Sequence, residues 1–583
     1  MTHLLAIDFE TAWDKGAYSV KDLGNWLYCQ DKRFAVLSVA IHDGEHGLAA
    51  KPQDFPWARL HGATLVAHNA PFDRAVFDRL HELGVVPAGV RPARWVCSAS
   101  ACAYHGLPRD LAGVCKELLG VTVDKGTRLD LGQGGLFAQA GSAALEGYAT
   151  RDADLAGRLF ARLFKTWPAA EMELAGITDD MGRRGVRIDT ATLVEEQAVL
   201  RSELEGVRAA IPFAPPLSVP ALREWCSSKG YTPPRSTAKT ADPEDFGEVN
   251  EPEVGVMVRH MQRYRRLNRT LAVLDAIRKR IAPDGRLRYQ LKYFGAGQTG
   301  RWSGSGGLNM QNFNRGDAEG VNLRGLIVPD PGHVFVIADY AQIEARVLLW
   351  LAREMDMLQW LQWGMDLYEA AARRMLGYRD PRPLKQVDPG LRQLAKGMTL
   401  GLGFGMGAGR FVASAKTLAG VEITFDKARD AVRRYRNANR RVVDLWDRLA
   451  DAFVRHAGEA VYRMPLPSGR LIRYWGPRCV NDTLMAADVK GGDLRMVHRG
   501  TLAENMVQAT ARDILAAAWL RCVEAGLTPV LSCHDELVFE VPASDAQAAA
   551  AEVERLMLVE PLWEYVELLP LAVEVKVADR YGK

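Results

Sequence analysis

One short stretch constrains this chain more than any other, because it combines a strand, an acid and a helix. It covers residues 333–351 and reads HVFVIADYAQIEARVLLWL. Alternating bulky residues predict a strand that ends at Asp339, and the four-residue spacing of Ile343, Val347 and Leu351 predicts the apolar stripe of a helix. A carboxylate at a rigid strand end that is open on one side is well placed to hold a hard cation.

A second acidic stretch lies far along the chain, at residues 528–541. It reads TPVLSCHDELVFEV, in which two apolar runs flank His534, Asp535 and Glu536. This pattern predicts a hairpin with acids at its tip. Because one carboxylate seldom holds a metal ion alone, we expect Asp339 and the hairpin acids to lie side by side and to share metal ions.

Length and composition indicate the class of protein. A chain of 583 residues is too long for one core and should form roughly three or four domains. It is 48% apolar, and 74 Lys and Arg against 71 Asp and Glu leave the net charge uninformative about nucleic acid. The eight cysteines include no CxxC pair, which argues against a zinc site or a disulfide framework. Without a signal sequence or a long apolar run, we expect a soluble cytoplasmic protein that makes no membrane contact.

Four acids and a tyrosine in the N-terminal part fit one reaction. Asp8 and Glu10 are two residues apart on an expected strand and so point to the same face, whereas Tyr148 and Asp152 are one helical turn apart. Asp73 lies where an expected strand enters a helix. Two-metal phosphodiester hydrolysis needs such a set, with cations about 3.5–4 Å apart. Each acid alone is better explained as a solvated charge, but the three segments together favour a nuclease site.

The spacing of these residues resembles a known family. Asp-x-Glu, then Asn-x-x-Phe-Asp, then Tyr-x-x-x-Asp is similar to the proofreading 3′–5′ exonucleases of the DEDD superfamily, in the variant that uses tyrosine. The resemblance implies a ribonuclease H-like fold, in which Tyr148 orients the attacking water and Asn69 supports the site. It implies as metal ligands, directly or through water, Asp8, Glu10, Asp73 and Asp152.

A glycine-rich segment at residues 291–316 reads LKYFGAGQTGRWSGSGGLNMQNFNRG. A nucleotide-binding phosphate loop is excluded, because Arg301 and Trp302 stand where that loop needs Lys and Ser or Thr. The segment resembles the Thr-Gly-Arg…Asn-Leu-Gln-Asn stretch of family A DNA polymerases. The resemblance implies that Arg301 reaches the minor groove at the primer end, where every base pair offers acceptors. The expected DNA contacts are Arg301, Asn309, Gln311, Asn312, Gln508 and His534.

The acids of the first two stretches match the same family. Asp339 and Asp535 match its two metal-binding aspartates, with Glu536 beside them, and two Mg²⁺ ions, for which Mn²⁺ can substitute, are implied at each active site. Glu344 matches the residue that packs under the sugar and excludes a 2′-hydroxyl.

Between these acids lies DPGLRQLAKGMTLGLGFGMGAGRF, which resembles the family's fingers helix. Basic and apolar residues recur at a four-residue step along one helix face. Lys396 is expected to donate a proton to the departing pyrophosphate. An ordinary basic helix edge is the simpler alternative, and a dinucleotide loop is discounted because no strand precedes the glycines. The expected dNTP-binding residues are Arg392, Lys396, Leu400, Phe404, Glu344, Gln342 and Tyr368.

Two positions depart from the family pattern. Leu400 stands where an aromatic residue is usual, and Tyr368 stands where bacterial members often have a histidine. Leu400 suggests the hypothesis of unusual nucleotide selectivity.

The sequence predicts an α/β multidomain protein, with a ribonuclease H-like exonuclease domain followed by a right-hand polymerase. The expected domains are the exonuclease (1–167), the connector, thumb and start of the palm (168–325), the palm with the first catalytic aspartate (326–380), the fingers (381–470) and the palm with the second catalytic aspartate (471–583).

The expected function is template-directed DNA synthesis with 3′–5′ proofreading in phage replication. The expected partners are primer-template DNA, dNTPs and replisome proteins such as a helicase or primase, and the protein should be a monomer. One alternative is a single-subunit RNA polymerase relative, against which Glu344 and the nuclease domain argue. Another is a DNA-holding nuclease with an inactive polymerase half, against which the complete acids argue.

Overall fold

A computed structural model describes most of the chain. The described residues are 3–14, 18–123, 143–234, 237, 251–313, 316, 321–561, 563 and 566–582. By spatial clustering the chain forms two compact units. One comprises Met1–Arg184, Tyr289–Gln311 and Val336–Val577, and the other Gly185–Arg288, Asn312–Phe335 and Ala578–Lys583. None of the described helices combines the length and apolar character that crossing a membrane requires.

The N-terminal part is a mixed sheet with helices on both faces. Its elements are β1 (Leu4–Thr11), α1 (Val20–Gln30), β2 (Val36–His42), β3 (Gly47–Ala50), β4 (Thr64–Ala67), α2 (Ala70–Glu82), β5 (Arg94–Cys97), α3 (Ser98–Tyr104), α4 (Leu111–Val114), α5 (Ala143–Leu163) and α6 (Ala169–Arg184). The strand order is β3-β2-β1-β4-β5, with β1 antiparallel to β2 and parallel to β4. This is the order of a ribonuclease H-like domain, as expected from the sequence.

The next part of the chain contributes to both units. Its elements are β6 (Val186–Ile188), α7 (Thr190–Ala209), α8 (Val219–Lys229), α9 (Pro252–Lys279), β7 (Arg286–Leu287), β8 (Gln290–Lys292), β9 (Ser303–Ser305) and β10 (Ile327–Val328). In the smaller unit, β10, β6 and β7 form a sheet in that order, and α7 contacts α9 through an Arg201–Asp275 ion pair at 2.9 Å. The leucines Leu267, Leu271 and Leu274 of α9 are buried, as the apolar spacing of this basic helix predicts.

The C-terminal part holds a second large sheet and a helical region. Its elements are β11 (His333–Tyr340), α10 (Ile343–Ala352), α11 (Met355–Gln362), α12 (Leu367–Leu376), α13 (Leu384–Val387), α14 (Pro389–Leu402), α15 (Ala408–Ala419), α16 (Phe425–Ala438), α17 (Arg440–Arg455), β12 (Val461–Pro465), β13 (Leu471–Val480), β14 (Thr483–Ala487), β15 (Arg495–Met496), α18 (Arg499–Glu524), β16 (Pro529–Cys533), β17 (Glu536–Pro542), α19 (Ala546–Leu558) and β18 (Val573–Ala578).

Strands β16, β17, β11 and β18 form one sheet in that order, which we call the palm sheet. Strands β16, β17 and β11 are largely apolar and buried, with Val336 and Leu537 fully enclosed, whereas the edge strand β18 is partly exposed. Strands β16 and β17 form the antiparallel hairpin that the sequence predicts, and Cys533 pairs with Glu536 at its end. The long helix α18 is buried along most of its length, which explains its nearly continuous small and apolar residues.

The helix predicted to carry the fingers residues spans Pro389–Leu402 and ends before Phe404. Asp388 caps α14 by accepting a hydrogen bond from the backbone of Leu391, and Pro389 occupies the first turn. The helix ends at Leu402, because glycines follow and Gly405 adopts a left-handed conformation. Phe404 therefore lies beyond the helix, so the prediction that it shares one helix face with Arg392 was wrong.

Candidate active sites

Small residues let α5 lie close against β1. Ala6 of the strand and Ala149 of the helix are buried in one cluster, so the two backbones approach closely. Ligand oxygens of Asp8, Glu10 and Asp152 consequently lie within 4.8 Å of one another. Three carboxylates at this separation fit a hard divalent cation, since such ions take oxygen ligands.

The remaining two exonuclease candidates flank this group. Asp73 is buried in the first turn of α2 and accepts a hydrogen bond from the backbone N–H of Phe9. Burial, together with the charge of Glu10, raises the pKa of Asp73 to about 8, although hydrogen bonds from the backbone N–H groups of Phe9 and of Asp73 itself act to lower it. Tyr148 is half-buried one turn before Asp152 on α5. Asp73 lies outside the group of three ligands, so its role in metal binding stays a prediction.

The palm sheet brings the two polymerase aspartates together. Asp339 is the next-to-last residue of β11, and Asp535 lies in the turn between β16 and β17. The backbone N–H of Tyr340 donates a hydrogen bond to the carbonyl oxygen of Asp535 at 3.2 Å. The turn is tight because His534 has a φ of 57°. Glu536 begins β17 and is buried.

An arginine lies among the acids of this site. The guanidinium of Arg301 donates a hydrogen bond to Glu344 and lies 3.7 Å from a carboxylate oxygen of Asp535. The pKa of Asp535 is raised to about 6, chiefly by burial; the positive charge of Arg301 opposes this rise, and the charges of Glu344 and Asp339 contribute to it. The positive charge of Arg301 therefore offsets part of the repulsion among the carboxylates.

The structure adds an acid that sequence reasoning missed. Gln508 on α18 donates a hydrogen bond to Glu504 at 3.2 Å. Burial raises the pKa of Glu504, and Glu344 raises it further while Arg301 lowers it, so Glu504 belongs to the same electrostatic cluster. The four-residue spacing on one helix was the signal that could have revealed this contact.

The fingers candidates contact one another at the start of α12 and along α14. Arg392 forms an ion pair with Asp366 at 3.0 Å, and its guanidinium lies 5.0 Å from the ring centre of Tyr368. Asp366 also caps α12, which fixes its position. Lys396 follows one turn after Arg392, and Leu400 follows another turn later with 36% of its surface exposed.

The turn that contains Phe404 lies against α18. A side chain at Gly500 would collide with the carbonyl oxygen of Phe404, so only glycine allows this close approach. Gln342 precedes α10 in a left-handed conformation with φ 49°.

The DNA-contact candidates Gln311 and Asn312 lie in a single helical turn, Met310–Asn312, which Asn309 directly precedes. The side-chain oxygen of Asn309 accepts a hydrogen bond from the backbone of Gln311 at 3.1 Å. The carbonyl oxygen of Gln311 accepts one from the thiol of Cys533 at 3.5 Å, beside the acidic turn. Asn312 is exposed. These contacts place the turn next to the polymerase acids.

Known proteins of similar sequence are DNA polymerases. The sequence profile described as DNA polymerase family A matches residues 244–583. The DNA polymerase of Bacillus phage SP02 is 26% identical over 599 residues, which cover 89% of this chain and 89% of that protein. The thermostable DNA polymerase I of Thermus aquaticus is 29% identical, over 73% of this chain and 50% of its own length. The chain thus spans about half the length of that relative.

A solved structure shares the fold. It is the POL domain of Pol1 from M. smegmatis in complex with DNA primer-template and dNTP, with a TM-score of 0.70 and 20% sequence identity. The match covers 100% of this chain and 96% of the other, so the likeness extends through the N-terminal sheet as well. The fold class expected from the sequence is confirmed.

Proposed function

Because the chain belongs to DNA polymerase family A, we propose that it extends a primer at its 3′ end with dNTPs selected by a template. The observation that carries this proposal is the meeting of Asp339, Asp535 and Glu344 around Arg301 at one end of the palm sheet. Such a group of carboxylates suits the metal dependence of the family.

Each residue of this site has a role in nucleotidyl transfer. Asp339 and Asp535 would hold two divalent cations, Mg²⁺ or Mn²⁺, and such cations would supply acidification of the primer 3′-hydroxyl and compensation of the triphosphate charge. The 3′-oxygen attacks the α-phosphate, and pyrophosphate leaves with a proton from Lys396. Arg392 binds the triphosphate, as a planar guanidinium suits phosphate oxygens. Glu344 packs under the sugar and excludes a 2′-hydroxyl.

The remaining contacts place the primer and the base pair. Arg301 and Gln508 donate hydrogen bonds to minor-groove acceptors, which occur on every base pair and therefore report its shape without reading its sequence. His534 contacts the primer terminus, beside Asp535.

We also propose a 3′–5′ exonuclease in the N-terminal domain. Asp8, Glu10 and Asp152 would hold divalent cations, which would supply activation of the attacking water, and Asp73 would assist through a water molecule. The hydroxyl of Tyr148, one turn from Asp152, orients that water. The proximity of the three carboxylates supports this assignment.

The biological setting is a further part of the proposal. The likeness to a phage DNA polymerase along 89% of both chains favours a role in phage DNA replication in the host cytoplasm. A helicase or primase would then act alongside this chain. We expect it to work as a monomer on primer-template DNA.

A primer-extension assay tests the proposed activity. A labelled primer annealed to a template is incubated with each dNTP, with and without Mg²⁺, and with rNTPs in parallel. We expect metal-dependent addition of only the complementary dNTP. Absence of extension under every condition would overturn the polymerase assignment, and preferred rNTP addition would favour an RNA polymerase. Digestion of a single-stranded primer in the same buffers tests the exonuclease separately.

A further inference from the structure

Two buried arginines hold the backbone that leads into Arg301. The Nε of Arg512 donates a hydrogen bond to the carbonyl oxygen of Gly300 at 3.1 Å. The Nη2 of Arg470 donates one to the carbonyl oxygen of Thr299 at 2.9 Å. Gly300 and Thr299 directly precede Arg301 in the chain. The path of the backbone into Arg301 is therefore set by two charged donors.

Arg512 is itself held by an acid from a distant helix. Its two terminal nitrogens donate hydrogen bonds to the two carboxylate oxygens of Glu171 on α6, at 2.5 and 2.7 Å. The Arg512 side chain is only 1% exposed. The hydroxyl of Tyr293 also donates to Glu171, at 2.7 Å. Burial acts to raise the pKa of Glu171, but the charge of Arg512 lowers it below its ordinary value, so the pair is ionised.

The chain is also held on the other side of Arg301. The indole N–H of Trp302 donates a hydrogen bond to the hydroxyl of Thr178 on α6 at 2.9 Å. The guanidinium of Arg512 lies 4.7 Å from the ring centre of Trp302. Arg512 therefore contacts the residues on both sides of Arg301, and α6 supplies partners to Arg512 and to Trp302.

Stability alone is a weak reason for this arrangement. Replacing a buried ion pair by well-packed apolar residues is often neutral or stabilising, because removing two charges from water costs several kcal/mol. What an apolar pair cannot supply is a donor to the carbonyl oxygen of Gly300. Arg512 donates to both carboxylate oxygens of Glu171 and, through its Nε, to the carbonyl oxygen of Gly300. These hydrogen bonds fix the position of that carbonyl oxygen.

We propose that Arg512, fixed by Glu171, is a positioning residue that aims Arg301 at the minor-groove edge of the primer-terminal base pair. The proposal rests on the polymerase function proposed above. Arg512 itself touches neither DNA nor dNTP and acts through the backbone of Gly300 and the ring of Trp302. It follows that loss of Arg512 weakens the same contact that loss of Arg301 removes.

The test has two parts, which are the extension of two different primers and a double-mutant cycle of Arg512 and Arg301. One primer ends in guanine and the other in 3-deazaguanine, which lacks the N3 acceptor of the minor groove. We expect the wild-type protein to extend the guanine primer about tenfold more efficiently, as one charge-assisted hydrogen bond would give. The Arg512→Lys variant retains a positive charge but loses the paired hydrogen bonds to Glu171. We expect its ratio of extension efficiencies between the two primers to be close to one. When Arg512→Lys is added to the Arg301→Ala variant, kcat/KM for primer extension should fall by less than about twofold more, because the contact that Arg512 positions is already absent.

Two further variants keep the test decisive. Arg521→Lys is the matched control, because Arg521 also lies on α18 and donates to backbone carbonyls, those of Leu556 and Val559. It should keep the wild-type ratio between the two primers. If Arg512→Lys does not fold, as judged by its thermal transition, Glu171→Gln provides the same comparison.

The positioning role would be overturned if folded Arg512→Lys, or Glu171→Gln in its place, kept the preference for the guanine primer. It would also be overturned if the losses of Arg512→Lys and Arg301→Ala were additive in the double mutant. Either result would leave the polymerase proposal intact. The polymerase proposal itself fails only if the wild-type protein extends neither primer.

Discussion

The two acidic sites of this molecule are built in opposite ways. The acids proposed for the exonuclease lie on β1 and α5, and small buried alanines bring ligand oxygens of Asp8, Glu10 and Asp152 within 4.8 Å of one another. The acids proposed for the polymerase lie on β11, at the start of α10 and in the turn between β16 and β17, and Arg301 contacts both Glu344 and Asp535. The first arrangement concentrates negative charge for a cation. The second places the guanidinium of Arg301 among the acids, so the charge balance of that site depends on Arg301.

The largest expected effect separates the two sites outright. Asp535→Ala removes a ligand of the polymerase cations, and a metal ion contributes several kcal/mol to the transition state, so extension should fall by about 10³-fold or more. Single-nucleotide extension measures this loss, while digestion of a single strand should stay unchanged. Asp545→Ala, an exposed acid of the same region, is the control. Extension at wild-type rate by Asp535→Ala would contradict the palm assignment.

The reciprocal change should stop digestion only. Asp8→Ala combined with Glu10→Ala removes two of the three converging carboxylates, and we expect a loss of about 10³-fold in 3′–5′ digestion because cation binding is lost. Extension of a matched primer should be retained. Asp14→Ala, an exposed acid close by in the chain, serves as control. A double variant that still degrades single strands would remove the exonuclease site from Asp8 and Glu10.

A third change addresses the arginine that distinguishes the sites. Arg301→Ala removes a charged hydrogen-bond donor from the polymerase site, so kcat/KM for extension should fall by about 10- to 100-fold. Single-strand digestion, measured on the same preparation, should not change. Equal losses of both activities would indicate a general defect in folding and would contradict the comparison.

The smallest expected effect concerns Glu504. Glu504→Gln keeps an acceptor for Gln508 and removes one negative charge, so primer-template DNA should bind about two- to fivefold more tightly at low salt, because repulsion of phosphate is reduced. Fluorescence titration at two salt concentrations measures the difference, which should shrink at high salt. Glu524→Gln, an exposed acid at the end of the same helix, is the control. Unchanged or weaker binding would show that the charge of Glu504 does not face DNA.

The sequence was most informative where chemistry and local periodicity coincide. The strand that ends near Asp339, the hairpin around Asp535 and the helix that carries Arg392 all follow from the spacing of residues along the chain. The fold class followed because these segments resemble a known family in the same order. Roles assigned to individual residues by that resemblance, such as those of Lys396 and His534, stay predictions.

Other features depend on packing between distant segments and could not be predicted locally. Glu171 and Arg512 are separated by 341 positions, and no local periodicity relates them. The early end of α14 at Leu402 reflects glycines whose conformation is decided by the adjoining turn. The position of Arg301 among acids required the palm sheet and its neighbouring loop to be assembled first.

The contacts of α6 have a consequence for anyone who shortens this protein. A fragment that starts at Gly185 would lack Glu171, and Arg512, which is 1% exposed in the full chain, would keep only the ion pair with Asp513 at 3.3 Å. Removing one partner of a buried ion pair costs about 3–5 kcal/mol, a large share of the stability of an ordinary domain. A version without the N-terminal sheet should therefore begin ahead of Ala169, so that α6 is retained.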